Sequence, residues 1–506
     1  MSTSLSDTPG YAQELRRGVG TFSSFAAGFS FVSILTTVFQ LFGLGFGLGG
    51  ASFFWAWPLV FAGQLLVALC FAELAARWPV SGAIFQWSGR LAGTTAGWFA
   101  GWVMVIGQIL TVAAAAIAIQ VVLPSIWSGF QIVGGAGADS AVSSPTGAQN
   151  AVLLGVILLV ITTIVNIAGI RHMAAATSVG VTIEIVAVIA LVFALFVLPE
   201  RGPGVVFTHE GWAGDGSYLP AFLASALMAA YVMVGFDSAG ELAEETHSPR
   251  RTTPRTILHA LIASAIGGAL LIIGALMAAP SLTDGNLATG GLSWVLTERL
   301  GGVLGRLFLC CVAVAVFACT LAIQTAGARM IYSMARDKAF PFHRQLSKVS
   351  PRTGTPVGAS IVVGVGAAIA LVVNIGQSAI FTALSSLCIA MLYLAYLGVT
   401  LPMLILRFRK TWPRGVDEQG KPLFSLGRWG IPLNALAVVY QIGMAVNLLW
   451  PRPEIYDLTG ETWWLRWSAL LVVALSLAAG AGYLLFKHRV HGRIELRHVP
   501  HSAQEA

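Results

Sequence analysis

Residues 227–245 read LMAAYVMVGFDSAGELAEE, an otherwise apolar run with four helix-weakening residues at its centre, namely Gly235, Asp237, Ser238 and Gly240. Glycine loses the most backbone freedom in a helix, and Asp and Ser side chains compete for backbone hydrogen bonds. The pattern therefore predicts a membrane-spanning helix that is broken near its middle, where N–H and C=O groups become available to a ligand. Glycines that only allow close helix packing would not require Asp237.

The first apolar span has a comparable interruption. Residues 30–37 read SFVSILTT, which groups four hydroxyl side chains within two turns. Serine and threonine can also bond back to their own helix and carry no function, so that alternative stays open. The two interrupted segments lie roughly two hundred residues apart, and broken helices in matching positions of two halves are typical of inverted-repeat transporters.

The composition places both segments in a membrane protein. Hydrophobic residues make up 56% of the 506 residues and charged residues 10%, whereas soluble proteins carry about 25% charged residues. This excludes a soluble enzyme. A helix needs about 20 mostly apolar residues to cross a bilayer, and the chain has twelve such stretches, which predicts an all-α integral membrane protein with twelve transmembrane helices. Their approximate bounds are 22–46, 52–75, 94–123, 150–170, 176–198, 218–243, 255–279, 303–331, 357–375, 379–406, 430–450 and 463–486.

The basic residues orient the chain. It has 29 Lys and Arg and a net charge of +7. With the N-terminus in the cytoplasm, 24 of the 29 lie inside, because only five lie in outer loops: Arg201, Arg299, Arg306, Arg452 and Arg466. The positive-inside rule then predicts a multi-pass protein of the cell membrane with both termini cytoplasmic. The basic residues form no stripe with interleaved aromatics, so nucleic-acid binding is not expected.

Glu184 stands alone in the fifth apolar span. An ionisable group at the bilayer centre costs about 2.5 to 3.5 kcal/mol or more, so such residues usually face a cavity, a partner or an ion path. Apolar surroundings disfavour the charged form, which makes Glu184 a candidate to bind and release a proton. The alternative is a carboxyl group that only hydrogen-bonds to a neighbouring helix.

Three carboxylates lie at the inner end of the sixth span: Glu241, Glu244 and Glu245. Carboxylates near a helix C-terminus oppose the helix dipole, so we expect basic partners from inner loops. The candidates are Arg16, Arg17 and Arg77. An inner gate built of ion pairs and an ordinary solvated helix end both fit this pattern.

No motif for catalysis, metal binding or a cofactor emerges. The five cysteines lie in apolar runs without Cys-x-x-Cys spacing. The glycine run at 43–50 follows an apolar helix rather than a strand, which disfavours a phosphate-binding loop. The tail histidines are expected in a solvated segment rather than a metal cluster: His488, His491, His498 and His501. We therefore expect no cofactor, no metal and no enzyme activity.

Three ordered segments resemble the amino acid-polyamine-organocation superfamily of permeases. They are 70–87 (CFAELAARWPVSGAIFQW), 235–250 (with GFD and EETHSPR) and 328–341 (ARMIYSMARDKAFP). Within the superfamily, the sequence is most similar to the amino acid and choline transporter branch, which includes permeases for 4-aminobutyrate and choline. The residues that suggest this branch are 14–17, 29–34, 235–237 and 427–434.

The resemblance implies a LeuT-like fold in a single transmembrane domain over 1–506. Two inverted five-helix repeats, at 18–198 and 216–406, would surround a midplane site at the unwound parts of helices one and six. Helices eleven and twelve, at 429–486, would be peripheral, and 487–506 would form a cytoplasmic tail.

The resemblance also implies residue roles. Tyr231 matches an aromatic residue that faces the substrate, and Gly235 and Phe236 match the unwound turn of helix six. The break in helix one would offer freed N–H groups to a carboxylate. The other predicted substrate-site residues are Ser30, Phe31, Ser33, Ile34, Thr36, Gln108, Ser385 and Ser386, together with Asp237 as an amine partner or a helix cap.

The chain departs from the family pattern twice. Many relatives have Gly-x-Gly at the helix-one break, where this sequence has Ser33-Ile34-Leu35-Thr36, which favours a different ligand head group. Glu184 occupies a place where several relatives carry a lysine, near the sodium site of the wider fold, so the coupling ion is left open.

The sequence predicts a secondary active transporter for a small amine-bearing solute, such as an amino acid, a 4-aminobutyrate-like compound or a choline-like amine. Alternating access with proton symport is the leading mechanism. The alternatives are substrate exchange and sodium symport, in which Thr320 would join helix-one carbonyls around the ion. A channel and a membrane-embedded enzyme are disfavoured. The expected partners are the substrate, a proton or sodium, and the lipid bilayer.

Overall fold

The computed structural model describes residues 15, 18–214, 216–373, 375, 380–412, 422–456, 463–491 and 494. Its first half contains α1 (Thr21–Val32), α2 (Ile34–Gly49), α3 (Ala56–Arg77), α4 (Ala83–Ala92), α5 (Thr94–Ile126), α6 (Pro145–Ala168) and α7 (Ile170–Val197). Its second half contains α8 (Tyr218–Val232), α9 (Ser238–Glu241), α10 (Pro249–Ala278), α11 (Gly285–Arg336), α12 (His343–Leu346), α13 (Val357–Val373) and α14 (Ile380–Phe408). The chain then continues through α15 (Gly430–Leu449), α16 (Pro453–Tyr456), α17 (Trp463–Arg466) and α18 (Ser468–His491).

The protein is a multi-pass membrane protein built of helices. Within the described residues, ten helical segments are long and apolar enough to cross a membrane. No strand is found among the described residues, in which Val19 and Thr246 form an isolated β bridge. The all-α prediction is confirmed. The count of twelve stays a prediction, because the other two candidates, α8 and α13, are shorter apolar helices.

The first span is interrupted at Ser33, which separates α1 from α2. Ser33 has φ of 36° and ψ of 91°, although it is not a glycine. Such positive φ angles are uncommon for residues with a side chain, so the surrounding contacts must hold this one. The Thr37 hydroxyl and the Thr37 N–H both donate to the Ser33 carbonyl, at 2.7 and 2.9 Å. The predicted break in this span is thus present, and it is confined to one residue.

The sixth predicted span is interrupted between α8 and α9. The helix ends at Val232 and resumes at Ser238, so the break comes slightly earlier than the Gly235–Gly240 stretch suggested. Gly235 has φ of +89°, a conformation in the left-handed region that favours glycine.

The glycine run at 43–50 serves close packing at the outer end of α2. A Cβ atom on Gly43 would lie 2.4 Å from the Ala288 carbonyl oxygen, which belongs to the first segment of α11. Gly47 is less crowded, since its Cβ would lie 3.3 Å from the Ala288 Cβ. The backbones of α2 and of the start of α11 therefore lie so close together that only small residues fit between them.

The long α11 is divided by two glycines. Gly291 has φ of 54° and Gly301 has φ of 73°, and both are non-helical. The predicted eighth span, 303–331, begins just after the second of these kinks. The segment before Gly301 lies against α2.

Some predictions fall outside the described residues. These concern Arg16, Arg17, His498 and His501. The boundaries of the two repeats and of the tail stay predictions.

Candidate functional site

The two helix breaks meet inside the molecule. A Cβ atom on Gly235 would lie 1.8 Å from Cδ1 of Phe31, so the Phe31 ring rests directly on the backbone of the second break. Glycine is required there by space as well as by φ. The predicted substrate and coupling residues are all buried: Ser30, Phe31, Ser33, Ile34, Thr36, Gln108, Glu184, Tyr231, Gly235, Phe236, Asp237, Thr320, Ser385 and Ser386.

Glu184 of α7 reaches the break between α1 and α2. Its Oε1 accepts hydrogen bonds from the Ser33 hydroxyl at 2.9 Å and from the Leu35 N–H at 3.1 Å. Leu35 lies in the first turn of α2, where N–H groups have no acceptor within the helix and a negative charge is favoured. The Glu184 carboxylate thus occupies a backbone donor that the family resemblance assigned to a substrate carboxylate.

Uncharged groups surround Glu184. The Cys319 thiol of α11 lies close to it and to the Ser33 and Thr36 hydroxyls. Ser33 Oγ and Thr36 Oγ1 are 2.7 Å apart. Within the described part of the chain, Glu184 forms no ion pair and its Oε2 has no hydrogen-bond partner. Glu184 is therefore a buried carboxyl group without a compensating cation.

Tyr396 of α14 bridges the second break. Its hydroxyl accepts the Gly235 N–H at 3.0 Å and donates to Asp237 Oδ1. Asp237 makes no side-chain cap on α9, so the capping role considered for it is not the one observed. Its Oδ2 has no partner among the described residues. That oxygen can face a cationic amine.

Tyr231 lies in the last turn of α8 and is 5% exposed. Its hydroxyl is close to the Cys319 and Cys388 thiols. Cys388 of α14 is in turn close to Thr111 of α5. Two of the five cysteines are therefore near the predicted aromatic residue.

Several buried polar atoms on these helices lack hydrogen-bond partners among the described residues. They are Ser30 Oγ, Ser385 Oγ and both amide atoms of Gln108. A buried polar group without a partner costs about 1 to 3 kcal/mol, so native proteins rarely leave one unless it serves a function or binds something. These atoms are therefore donors and acceptors that protein groups of the described residues do not use.

Three residues that were predicted to bind the substrate or an ion contact other groups of the protein. The Phe236 ring packs against Phe71 and Tyr396, with centroids 5.9 and 5.5 Å away. Ser386 lies next to the Tyr456 hydroxyl. The Thr320 hydroxyl donates to the carbonyl one turn back in its own helix. Their substrate and ion roles stay predictions.

The three carboxylates at the C-terminal end of the broken helix, Glu241, Glu244 and Glu245, are buried, which does not fit a solvated helix end. Glu244 pairs with Arg336 at 2.9 Å, and Glu245 pairs with Arg329 at 3.1 Å. Glu241 Oε2 instead accepts the Gly82 N–H at the start of α4, at 2.9 Å. Both arginines come from the inner half of α11, so these contacts tie the broken helix to α11 and α4.

Arg77 was an expected partner of these carboxylates, but its observed ion pair is with Glu73. The distance is 3.3 Å, and both residues lie in the last turns of α3. Glu73 also accepts hydrogen bonds from Arg407, from Trp412 Nε1 at 2.9 Å and from Ser425 Oγ at 3.1 Å. This cluster joins α3 to α14 and to the segment that follows α14.

The chain and its architecture have counterparts among known proteins. A model of the amino acid permease family matches residues 19–475. The chain belongs to the amino acid permease family. It is a secondary transporter, and the superfamily predicted from residues 70–87, 235–250 and 328–341 is confirmed.

Individual relatives agree with this assignment. The amino-acid permease BAT1 of Arabidopsis thaliana is 30% identical over 504 residues, which cover 95% of this permease and 93% of BAT1. The GABA-specific permease of Saccharomyces cerevisiae is 24% identical and covers 95% of this chain and 84% of its own. The crystal structure of MhsT in complex with L-phenylalanine matches with a TM-score of 0.61 at 15% identity, over 86% of this chain and 100% of that one. This last likeness confirms the LeuT-like fold.

Sequence reasoning missed several residues of the permease's site. No local pattern pairs Tyr396 with Asp237, because 159 positions separate them. Arg329 and Arg336 could have been found, since an arginine inside a buried apolar helix requires a partner of opposite charge. Leu35 was overlooked because its backbone, not its side chain, makes the contact.

Proposed function

We propose that this permease carries a small amine-bearing solute across the cell membrane by alternating access with proton symport. An amino acid, a 4-aminobutyrate-like compound or a choline-like amine fits the site. The names of the relatives support the amino acid class, since they include amino-acid permeases and a GABA-specific permease. A protein of the same fold was crystallised with L-phenylalanine.

One observation carries the proposal: the Glu184 carboxylate accepts a hydrogen bond from the Leu35 N–H at the helix-one break. An ionised carboxylate is a strong acceptor, and it loses much of that strength when it binds a proton. A substrate carboxylate needs the same backbone donor. Protonation of Glu184 therefore releases the donor to the substrate, and the two binding events favour each other.

The amine end of the substrate would lie towards the second break. Asp237 Oδ2 has no partner among the described residues and supplies a negative group. The ring of Tyr231 supplies an aromatic face that attracts a cation. Ser385 and Gln108 add polar atoms without other partners in the described structure.

The inner ion pairs would act as the cytoplasmic gate. Glu244 with Arg336, and Glu245 with Arg329, hold the broken helix against α11 while they are intact. Inward opening would separate these pairs. The excess of Lys and Arg in alternate loops supports cytoplasmic termini, which places this gate on the inner side.

Sodium coupling is the competing mechanism, with Thr320 and helix-one carbonyls as ligands. The Phe31 carbonyl already accepts from the Cys319 thiol at 3.6 Å, and the Val32 carbonyl accepts from Thr37 at 3.3 Å. These contacts engage the carbonyls that a sodium ion would need, which favours proton coupling over sodium coupling.

Binding measurements with a matched pair of ligands test the proposal. A thermal-shift screen of purified permease against amino acids, polyamines and choline-like compounds first identifies a ligand, because a compound that binds only the folded state raises the melting temperature. The best amino acid is then compared with the amine that lacks its carboxylate. We expect the amino acid to bind more tightly as the pH falls, by up to about tenfold per pH unit, and the amine to show no such dependence.

Glu184→Gln should abolish the pH dependence while it retains binding. Absence of any ligand among these classes would contradict the substrate assignment. An amino acid affinity that changes with pH equally in wild type and Glu184→Gln would remove Glu184 from coupling.

A further inference from the structure

A basic pocket of about 410 Å³ lies at the inner end of the molecule, away from the transport site. It is formed where the turn after α11 meets the last turns of α18. Its lining includes Phe342, His343 and Arg344 on one side and Tyr483, Phe486 and Lys487 on the other.

Lys487 is the unusual residue of this pocket. Its side chain is only 7% exposed, and its Nζ has no hydrogen-bond partner among the described residues. A buried ammonium group without a partner of opposite charge is strongly unfavourable. The neighbouring charge is that of Lys338, which repels it. An anion from outside the described chain would supply the charge partner that Lys487 lacks.

Arg344 adds a second available cation at the pocket. Its side chain is exposed, unlike that of Lys487. No carboxylate lines the pocket among the described residues. The side chains that line the pocket thus combine one deep and one superficial positive charge, which suits a phosphate group.

Both walls of the pocket are held by the same tryptophan. Trp98 Nε1 donates to the Ala339 carbonyl at 2.7 Å, which fixes the turn after α11. Its ring also stacks on Tyr483 of α18, with centroids 5.9 Å apart and an interplanar angle of 20°. The pocket is therefore preformed, and its cations need little reorganisation to bind a ligand.

The rim of the pocket is apolar and exposed. Phe342 is 77% exposed and Phe486 is 60% exposed, and the adjacent Leu485 on α18 is also exposed. Aromatic side chains and basic residues commonly share the membrane interface, where anionic head groups lie above acyl chains. A soluble anion would make no use of this rim.

We propose that the pocket binds the phosphate of an anionic membrane phospholipid, with Lys487 as its central cation and Arg344 at its mouth. The acyl chains would lie along the apolar face of α18 beside Phe486. Occupation would clamp α18 to the turn after α11.

A lipid titration tests this site on the purified full-length permease in detergent. The melting temperature is followed with phosphatidylglycerol, with phosphatidylcholine of the same acyl chains, and with inorganic phosphate. We expect phosphatidylglycerol to raise the melting temperature by mass action, and the other two to have little effect. In Lys487→Met the midpoint of the phosphatidylglycerol titration should move to at least tenfold higher lipid, whereas Lys487→Arg should remain near wild type.

Lys348→Met is the matched control, because it removes the same charge from an exposed lysine of the inner surface that does not line the pocket. It should respond to phosphatidylglycerol as wild type does. If Lys487→Met does not fold, Arg344→Met provides the test, with a loss of about threefold expected.

Three results would overturn the proposal. One is an equal response to phosphatidylglycerol and phosphatidylcholine. Another is an unchanged titration midpoint in the Lys487 or Arg344 variants. A full response to inorganic phosphate alone would assign the pocket to a soluble anion instead of a lipid.

Discussion

Tyr231 illustrates how one side chain can define the ligand class. It is buried at the end of α8, and its hydroxyl interacts electrostatically with the Cys319 and Cys388 thiols. An aromatic face contributes about 0.5 to 2 kcal/mol to binding a cation. Tyr231→Ala should therefore weaken ligand binding about tenfold without unfolding the protein, as measured by ligand titration of the melting temperature. Tyr231→Phe, which keeps the ring, should bind nearly as wild type, and unchanged affinity in Tyr231→Ala would remove the residue from the site.

Tyr396 has a different role at the residue scale, since its hydroxyl satisfies two groups of the second break. Tyr396→Phe leaves the Gly235 N–H and Asp237 Oδ1 without that partner, which should lower the free energy of unfolding by about 1 to 3 kcal/mol. Tyr393→Phe is the control: its hydroxyl partner Tyr440 also lies 3.3 Å from the Val60 carbonyl and keeps an acceptor. Thermal unfolding should show a clearly larger loss for Tyr396→Phe. Equal losses of stability in the two variants would show that the Tyr396 hydroxyl does not stabilise the second break.

At the scale of elements, the inner pairs connect the broken helix to α11. Removing one partner of a buried ion pair leaves an uncompensated charge and typically destabilises by 3 to 5 kcal/mol. Arg329→Gln should therefore lower the melting temperature strongly, and adding Glu245→Gln to it should restore much of the loss. A double variant no better than the single one would show that charge compensation is not what Arg329 supplies.

The packing of α2 against the start of α11 provides a second test at the scale of elements. A methyl group at Gly43 would lie 2.4 Å from the Ala288 carbonyl oxygen, whereas one at Gly47 would lie 3.3 Å from a methyl group. Gly43→Ala should therefore separate α2 from the start of α11 and reduce uptake at least tenfold, while Gly47→Ala should have a small effect. Equal uptake by the two variants, at equal expression, would contradict this account of the packing.

The whole molecule shows which features a sequence can reveal. Hydropathy predicted the apolar spans, and helix-weakening glycine, Asp and Ser residues predicted the break in the sixth span. Grouped hydroxyl residues predicted the break in the first span. These signals are local, so the sequence shows them directly. Glu184 was also identified, since a lone carboxyl in an apolar span is unusual by itself. Its contact with the Leu35 N–H was not predictable, because it depends on how α7 packs against the break. The same holds for Arg329 and its partner, which come from distant parts of the chain.

These long-range contacts explain one expectation that changed. Arg77 was one of three sequence candidates for the inner carboxylates, because it was expected in an inner loop. In the fold it pairs instead with Glu73, one turn earlier in α3. Local charge patterns therefore identify the groups that need partners, whereas tertiary packing decides which partners they have.

The central claim is that Glu184 couples a proton to the movement of substrate. Uptake of the ligand identified by the screen, measured in proteoliposomes with imposed gradients, tests it most directly. We predict that an inward proton gradient drives accumulation in wild type without sodium, and that Glu184→Gln loses this accumulation but retains exchange of internal for external substrate. Accumulation driven by a sodium gradient at constant pH, and retained in Glu184→Gln, would contradict the account.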